Sequence, residues 1–190
     1  MKLSNLLRRM AKGWVVLLFL VLFILTTSVV FPFFANLLDI PDEGVESIDT
    51  KMYYSPAELY DMMEAYGEVG RRGYAQSHLT ADLIFPLVYS FFFGTAISFT
   101  FLRAFPAESG FQMLNLVPFG LFAFDLLENT LLVILLLSFP AQLTVLAFAA
   151  GVVTAVKWLF SAASVLLPFI GLGAWVVRLL RRRGTNRKAV

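Results

Sequence analysis

Four apolar runs, each long enough to cross a lipid bilayer, leave this chain little choice of architecture. A hydrocarbon core about 30 Å thick takes about 20 apolar residues as helix, and Trp14–Phe34, Leu79–Leu102, Met113–Leu137 and Leu143–Leu167 all reach that length. Backbone groups find no water in lipid, so each run must close its hydrogen bonds internally. Composition agrees. Of 190 residues, 59% are hydrophobic, 20 are Phe and only 15% are charged, against about a quarter charged in soluble domains; mean hydropathy is +0.78. The expected fold is all-α, a polytopic membrane protein in which a four-transmembrane-helix bundle forms one domain over residues 1–190.

The fourth run raises a boundary question. As continuous helix, Ala141 to Val177 would extend ~55 Å, too long for one upright crossing and too short for two. Pro168, Gly171 and Gly173 predict a stop at 167, with a short interfacial helix inside the basic segment 168–190. The alternative is one tilted helix reaching Val177.

Basic residues set the orientation. Lys2, Arg8, Arg9 and Lys12 precede the first run, and Arg178, Arg181, Arg182, Arg183, Arg187 and Lys188 follow the last, so both termini are expected in the cytoplasm. Residues 35–78 carry Asp39, Asp42, Glu43, Glu46, Asp49, Glu58, Asp61, Glu64 and Glu68 against Lys51, Arg71 and Arg72, which places them outside, most simply across a bacterial inner membrane. The basic tail beside a span signals topology or anionic-lipid contact rather than nucleic-acid binding. The first run exceeds a secretory h-region and lacks a clean cleavage site, so it is expected to be a retained anchor.

Between the first two runs, Ser55-Pro56-Ala57-Glu58 is a capping box with proline at the first helical position. It predicts an amphipathic helix over 56–77, lying on the membrane or capping the bundle. The GEVGRRG stretch admits two readings. One is a bend into the second span; the other is a close-approach or anion-binding loop using Arg71 and Arg72.

The third run holds the chemical signal. Asp125 and Glu128 each cost about 2.5–3.5 kcal/mol at the centre of a span, while each Leu, Ile, Phe or Val returns about 0.3–0.6. The run only about breaks even alone, so the face bearing Asp125, Glu128 and Asn129 must turn inward. Ala150, Thr154, Lys157, Ser161, Ser164 and Pro168 form a small and polar stripe on the fourth run. The two runs are joined by a short turn at Ser138-Phe139-Pro140, and residue counting puts Lys157 level with Asp125, predicting an ion pair between them. His78, Asp82 and Tyr89 share a face of the second run. The expected site is an outward-opening polar cleft lined by Asp82, Tyr89, Asp125, Glu128, Asn129 and Lys157, with His78, Asp82 and Glu128 as candidate acid-base groups.

Three functional readings follow. The first is a binding protein for a lipid-like ligand or a membrane protein partner, a second copy included. The second is an intramembrane acid-base enzyme on a sterol- or lipid-like substrate, and the third a proton- or cation-coupled transporter component. A single histidine and no cysteine argue against a zinc site; no metal and no cofactor are expected, and phosphate-binding, GxSxG and HExxH motifs are absent. The His-x-x-x-Asp of His78 and Asp82, followed by an acid on the third span, resembles EXPERA-type membrane proteins, which include sterol isomerases. That resemblance implies proton transfer by His78 and Asp82 on a sterol-like ligand, with Asp82 standing where the isomerase pattern has Glu and the acidic outer segment lacking a counterpart.

Overall fold

The computed structural model describes residues 2–37 and 47–187; Asp39, Asp42, Glu43, Glu46 and Lys188 of the charge pattern lie outside them. Every regular element among the described residues is helical. Four helices are long and apolar enough to cross a membrane: Gly13–Phe34, Ala81–Ala104, Gly110–Ser138 and Thr144–Arg181. Their outer faces expose Leu17, Val21, Leu159, Phe169 and Ile170 among many others, a surface that suits acyl chains and not water. The chain has the build of an integral membrane protein.

The basic N-terminus is itself structured. Helix α1 (Lys2–Met10) buries Ser4 and Leu7; Leu7 seats against Gly94, and Arg8 donates to the Ala107 carbonyl at 2.8 Å. Lys12 is extended and turns the chain into α2 (Gly13–Leu25), followed by one π turn (Thr26–Val30) and α3 (Phe31–Leu37). Pro32 lacks the N–H that α-helical geometry would aim at Ser28, and the wider π turn accommodates that loss.

The segment between spans one and two forms a cap. Helix α4 (Pro56–Ala65) opens with the anticipated box: Ser55 Oγ accepts from the Glu58 N–H, and the Glu58 carboxylate accepts from the Ser55 N–H at 2.8 Å. Those hydrogen bonds from Ser55 hold the Glu58 carboxyl below its ordinary value. The box therefore stabilises the helix above the carboxylate range and loses that contribution as pH falls through it. The expected single helix over 56–77 is in fact two, because Gly67 takes φ +64°, a left-handed conformation open to glycine; α5 (Gly67–His78) starts there. Tyr54, Leu59, Met63 and Tyr66 of the cap pack with Leu132, Leu135, Ala147 and Ala150 in one buried cluster. The cap thus closes the end of the hairpin made by the last two long helices.

Helix α6 (Ala81–Ala104) is central, touching every other long helix; α7 (Val117–Ser138), entered through a 3-10 turn at Gly110–Leu116, and α8 (Thr144–Arg187) share the largest interface. The break expected at Pro168 does not occur, and α8 runs through it for 44 residues. Proline removes one backbone hydrogen bond, but packing beyond it holds the helix together. Gly171 lies flush against Thr100 and Phe101, the Trp175 ring meets Phe99 at 6.1 Å, and Arg178 donates to the Arg103 carbonyl at 3.0 Å. The basic stretch of α8 and α1 consequently meet the same end of α6, opposite the cap.

Cap docking has a point of no clearance. A methyl group on Gly151 would fall inside van der Waals distance of the Tyr54 carbonyl, whereas Gly173 faces open space. Gly151→Ala should therefore destabilise the protein by about 1–3 kcal/mol, the usual cost of overpacking, while Gly173→Ala should be neutral or mildly stabilising through helix propensity. Thermal unfolding in mild detergent, followed by tryptophan fluorescence, separates the two; equal melting temperatures would rule out this docking.

Candidate functional site

Two turns of α7 build the site. Asp125 and Glu128, three residues apart, and Asn129 point to the same side of the helix. Glu128 is fully buried. Its Oε2 is bound by the Lys157 ammonium, and its Oε1 accepts from the Thr154 hydroxyl at 2.5 Å. Thr154 in turn shares a 3.1 Å hydrogen bond with the Tyr54 hydroxyl, so the cap reaches the buried acid. Lys157 Nζ lies 3.4 Å from Asp125 Oδ1.

The expected Asp125–Lys157 ion pair is therefore present, and Lys157 has a second carboxylate partner in Glu128. Counting residues locates α-carbons, which is enough to find Asp125 but not the second partner. Side chains lean toward the N-terminus of their own helix. In an antiparallel pair this carries the long Lys157 head toward the hairpin turn and onto Glu128.

On α6, Asp82 Oδ2 lies 3.0 Å from His78 Nδ1, and the His78 side chain is fully buried. Asn129 Nδ2 donates to the Asp82 backbone carbonyl at 3.2 Å, tying α7 to the start of α6. Tyr89 is buried, its hydroxyl beside the Asp125 carboxylate.

These groups adjoin a cavity of about 420 Å³ lined by Phe23 and Phe31 from the first span, Asp82, Phe85, Tyr89 and Phe93 from α6, Leu121, Asp125 and Asn129 from α7, and Lys157, Trp158, Ser161 and Val165 from α8. Of the residues expected in the cleft, Asp82, Tyr89, Asp125, Asn129 and Lys157 line it, while Glu128 sits behind Lys157 and His78 behind Asp82. Arg71 and Arg72 are not brought here. Arg71 donates to the Met63 carbonyl at 2.8 Å and lies over the Phe139 ring at 4.1 Å, and Arg72 pairs at the surface with Glu68 at 2.7 Å.

The aromatic walls went unread in the sequence. Asp82, Phe85, Tyr89 and Phe93 recur at helical spacing, which was a usable signal; Phe23 and Phe31 sit in a uniformly apolar helix that advertises no face. Trp158 is fixed by donating from Nε1 to the Lys51 carbonyl at 2.6 Å. Among the described residues no group of three or more His, Cys, Asp or Glu is placed to hold a metal ion.

The buried pair makes a falsifiable demand. Lys157→Met strands the Glu128 carboxylate, and breaking such a pair costs about 3–5 kcal/mol. Replacing both, as Glu128→Leu with Lys157→Met, should recover most of that loss, because a well-packed apolar pair has no desolvation penalty. Melting temperatures of the single and double variants decide the point; a single variant as stable as the parent would mean the pair does not hold α7 to α8.

No family model, no curated protein and no solved structure matches this chain. The resemblance carried by His78, Asp82 and the acids of α7 therefore rests on those residues alone.

Proposed function

We propose that this chain is a binding protein for a lipid-like ligand, embedded in a bacterial inner membrane with both termini cytoplasmic and the cap over its outer end. The observation that carries this reading is the cavity of about 420 Å³, within the range of small-molecule pockets, mostly aromatic and aliphatic with a few polar groups at its inner wall. The first span packs mainly on α6. Access would then run sideways, between that span and α8, and an amphipathic molecule would enter from the bilayer. The exposed apolar faces of α2 and α8 leave room for a membrane protein partner or a second copy.

A second reading, an intramembrane acid-base enzyme, draws on Asp82, a wall residue with His78 Nδ1 3.0 Å behind it. In that case Asp82 would exchange the proton with substrate and His78 would orient it. A cation-coupled transporter component would use the same carboxylates and would need, in addition, a water path to the opposite face.

The binding reading is tested by filling the cavity. Native mass spectrometry of mildly extracted protein should find a lipid-mass adduct, and Ser161→Phe should remove it while leaving the melting temperature within a few degrees. An adduct-free parent, or a variant that keeps its adduct, would overturn the proposal.

A further inference from the structure

Within that binding reading, on which this step rests, we infer that the ligand carries a cationic ammonium group and that Asp82, Asp125 and the surrounding rings receive it. The charge balance of the wall is the first ground. Asp82, Asp125 and Glu128 face Lys157 and His78. Counted in their ionised forms, three carboxylates against one lysine leave a formal charge of −2 with His78 neutral, or −1 with it protonated. Lys157 supplies the cavity's sole basic side chain among the described residues, and Glu128 already binds it. A partly desolvated negative charge needs a counter-charge, and the wall does not contain enough.

The rings are the second ground. Phe23, Phe85, Phe93 and Trp158 border the same space, and aromatic faces attract ammonium groups, quaternary ones included. The indole of Trp158 is held in place from the cap, so this wall is preformed. The third ground is the Tyr89 hydroxyl, buried on the cavity wall beside the Asp125 carboxylate, which adds an oxygen to the acidic side of the same space. An anionic headgroup would meet repulsion from both aspartates, and an uncharged one would leave their charge unmatched. A bare divalent ion lacks a ligand set among the described residues. Ammonium satisfies carboxylate, hydroxyl and ring together, while Leu121 and Val165 receive the attached chain.

The test uses the full chain in maltoside micelles and three probes of equal chain length: octyltrimethylammonium, octanol and octyl sulfate. Binding is read from Trp158 fluorescence in a Trp14→Phe/Trp175→Phe background. The ammonium probe should bind about tenfold or more tightly than octanol, the range of one charge-assisted contact, and octyl sulfate more weakly than either. Asp125→Asn and Asp82→Asn should each shrink the ammonium-to-octanol ratio; should one variant fail to fold, the other and the parent ratio still decide. Equal affinity for all three probes would overturn the headgroup assignment and leave lipid binding standing, whereas no binding of any probe would overturn both. Phosphatidylethanolamine added to the micelles separates two sources of the same chemistry. Displacement of the probe assigns a lipid headgroup; displacement by free octylamine but not by the phospholipid assigns a soluble amphipathic amine.

Discussion

A buried carboxylate must keep its cation, and much of this molecule is arranged around that requirement. Glu128 has no exposed side-chain surface and is bound by Lys157 and Thr154. The attraction offsets desolvation only when geometry is good and the remaining lone pairs are used. Two apolar helices can slide past one another at modest cost, since one leucine row resembles the next. A pair with an ionic contact at one level cannot. The register of α7 on α8 is thereby specified by three polar residues within a largely interchangeable apolar surface, and the wall groups contributed by these two helices take their relative positions from it.

The cap extends the same constraint outward. Tyr54 reaches Thr154, which reaches Glu128, and the Lys51 carbonyl receives the Trp158 indole. Tyr60 adds a third tie by accepting the Leu143 N–H at 2.6 Å. Each contact joins the segment 47–60 to α8 or to the turn before it. The cap is thus part of the interior polar network, and the order of the cavity's α8 wall depends on a segment that lies alongside the first turns of α8.

Much of this was legible in the sequence where the signal was local. The four apolar runs, the capping box at Ser55, the shared face of Asp125, Glu128 and Asn129, and the stripe from Ala150 to Ser164 follow from composition and helical period. What stayed hidden depends on packing or on direction. That Lys157 reaches Glu128 as well as the expected Asp125 comes from the lean of side chains along their helices, which α-carbon spacing omits. Continuity of α8 across Pro168 comes from Gly171 against Thr100 and Phe101, a contact between residues far apart in sequence. Gly67, not the later glycines of GEVGRRG, breaks the cap helix, because of these three only Gly67 takes a positive φ. Phe23 and Phe31 stayed unread because a helix apolar on all sides offers no period to interpret.

The division of labour among the long helices bears on how such a site would be entered. Helices α6, α7 and α8 pack on one another extensively, and the carboxylates and Lys157 belong to these three; the first span rests mainly on α6 and contributes only phenylalanines to the cavity. A small displacement of the first span would exchange ring contacts for lipid contacts of nearly equal worth, since there is no hydrophobic driving force between apolar helices in acyl chains. A comparable displacement of α8 would separate Lys157 from Glu128 and expose a buried charge. On the proposed reading, the cavity therefore opens most readily where no ion pair has to be broken, and its electrostatic wall keeps its geometry while ligand passes.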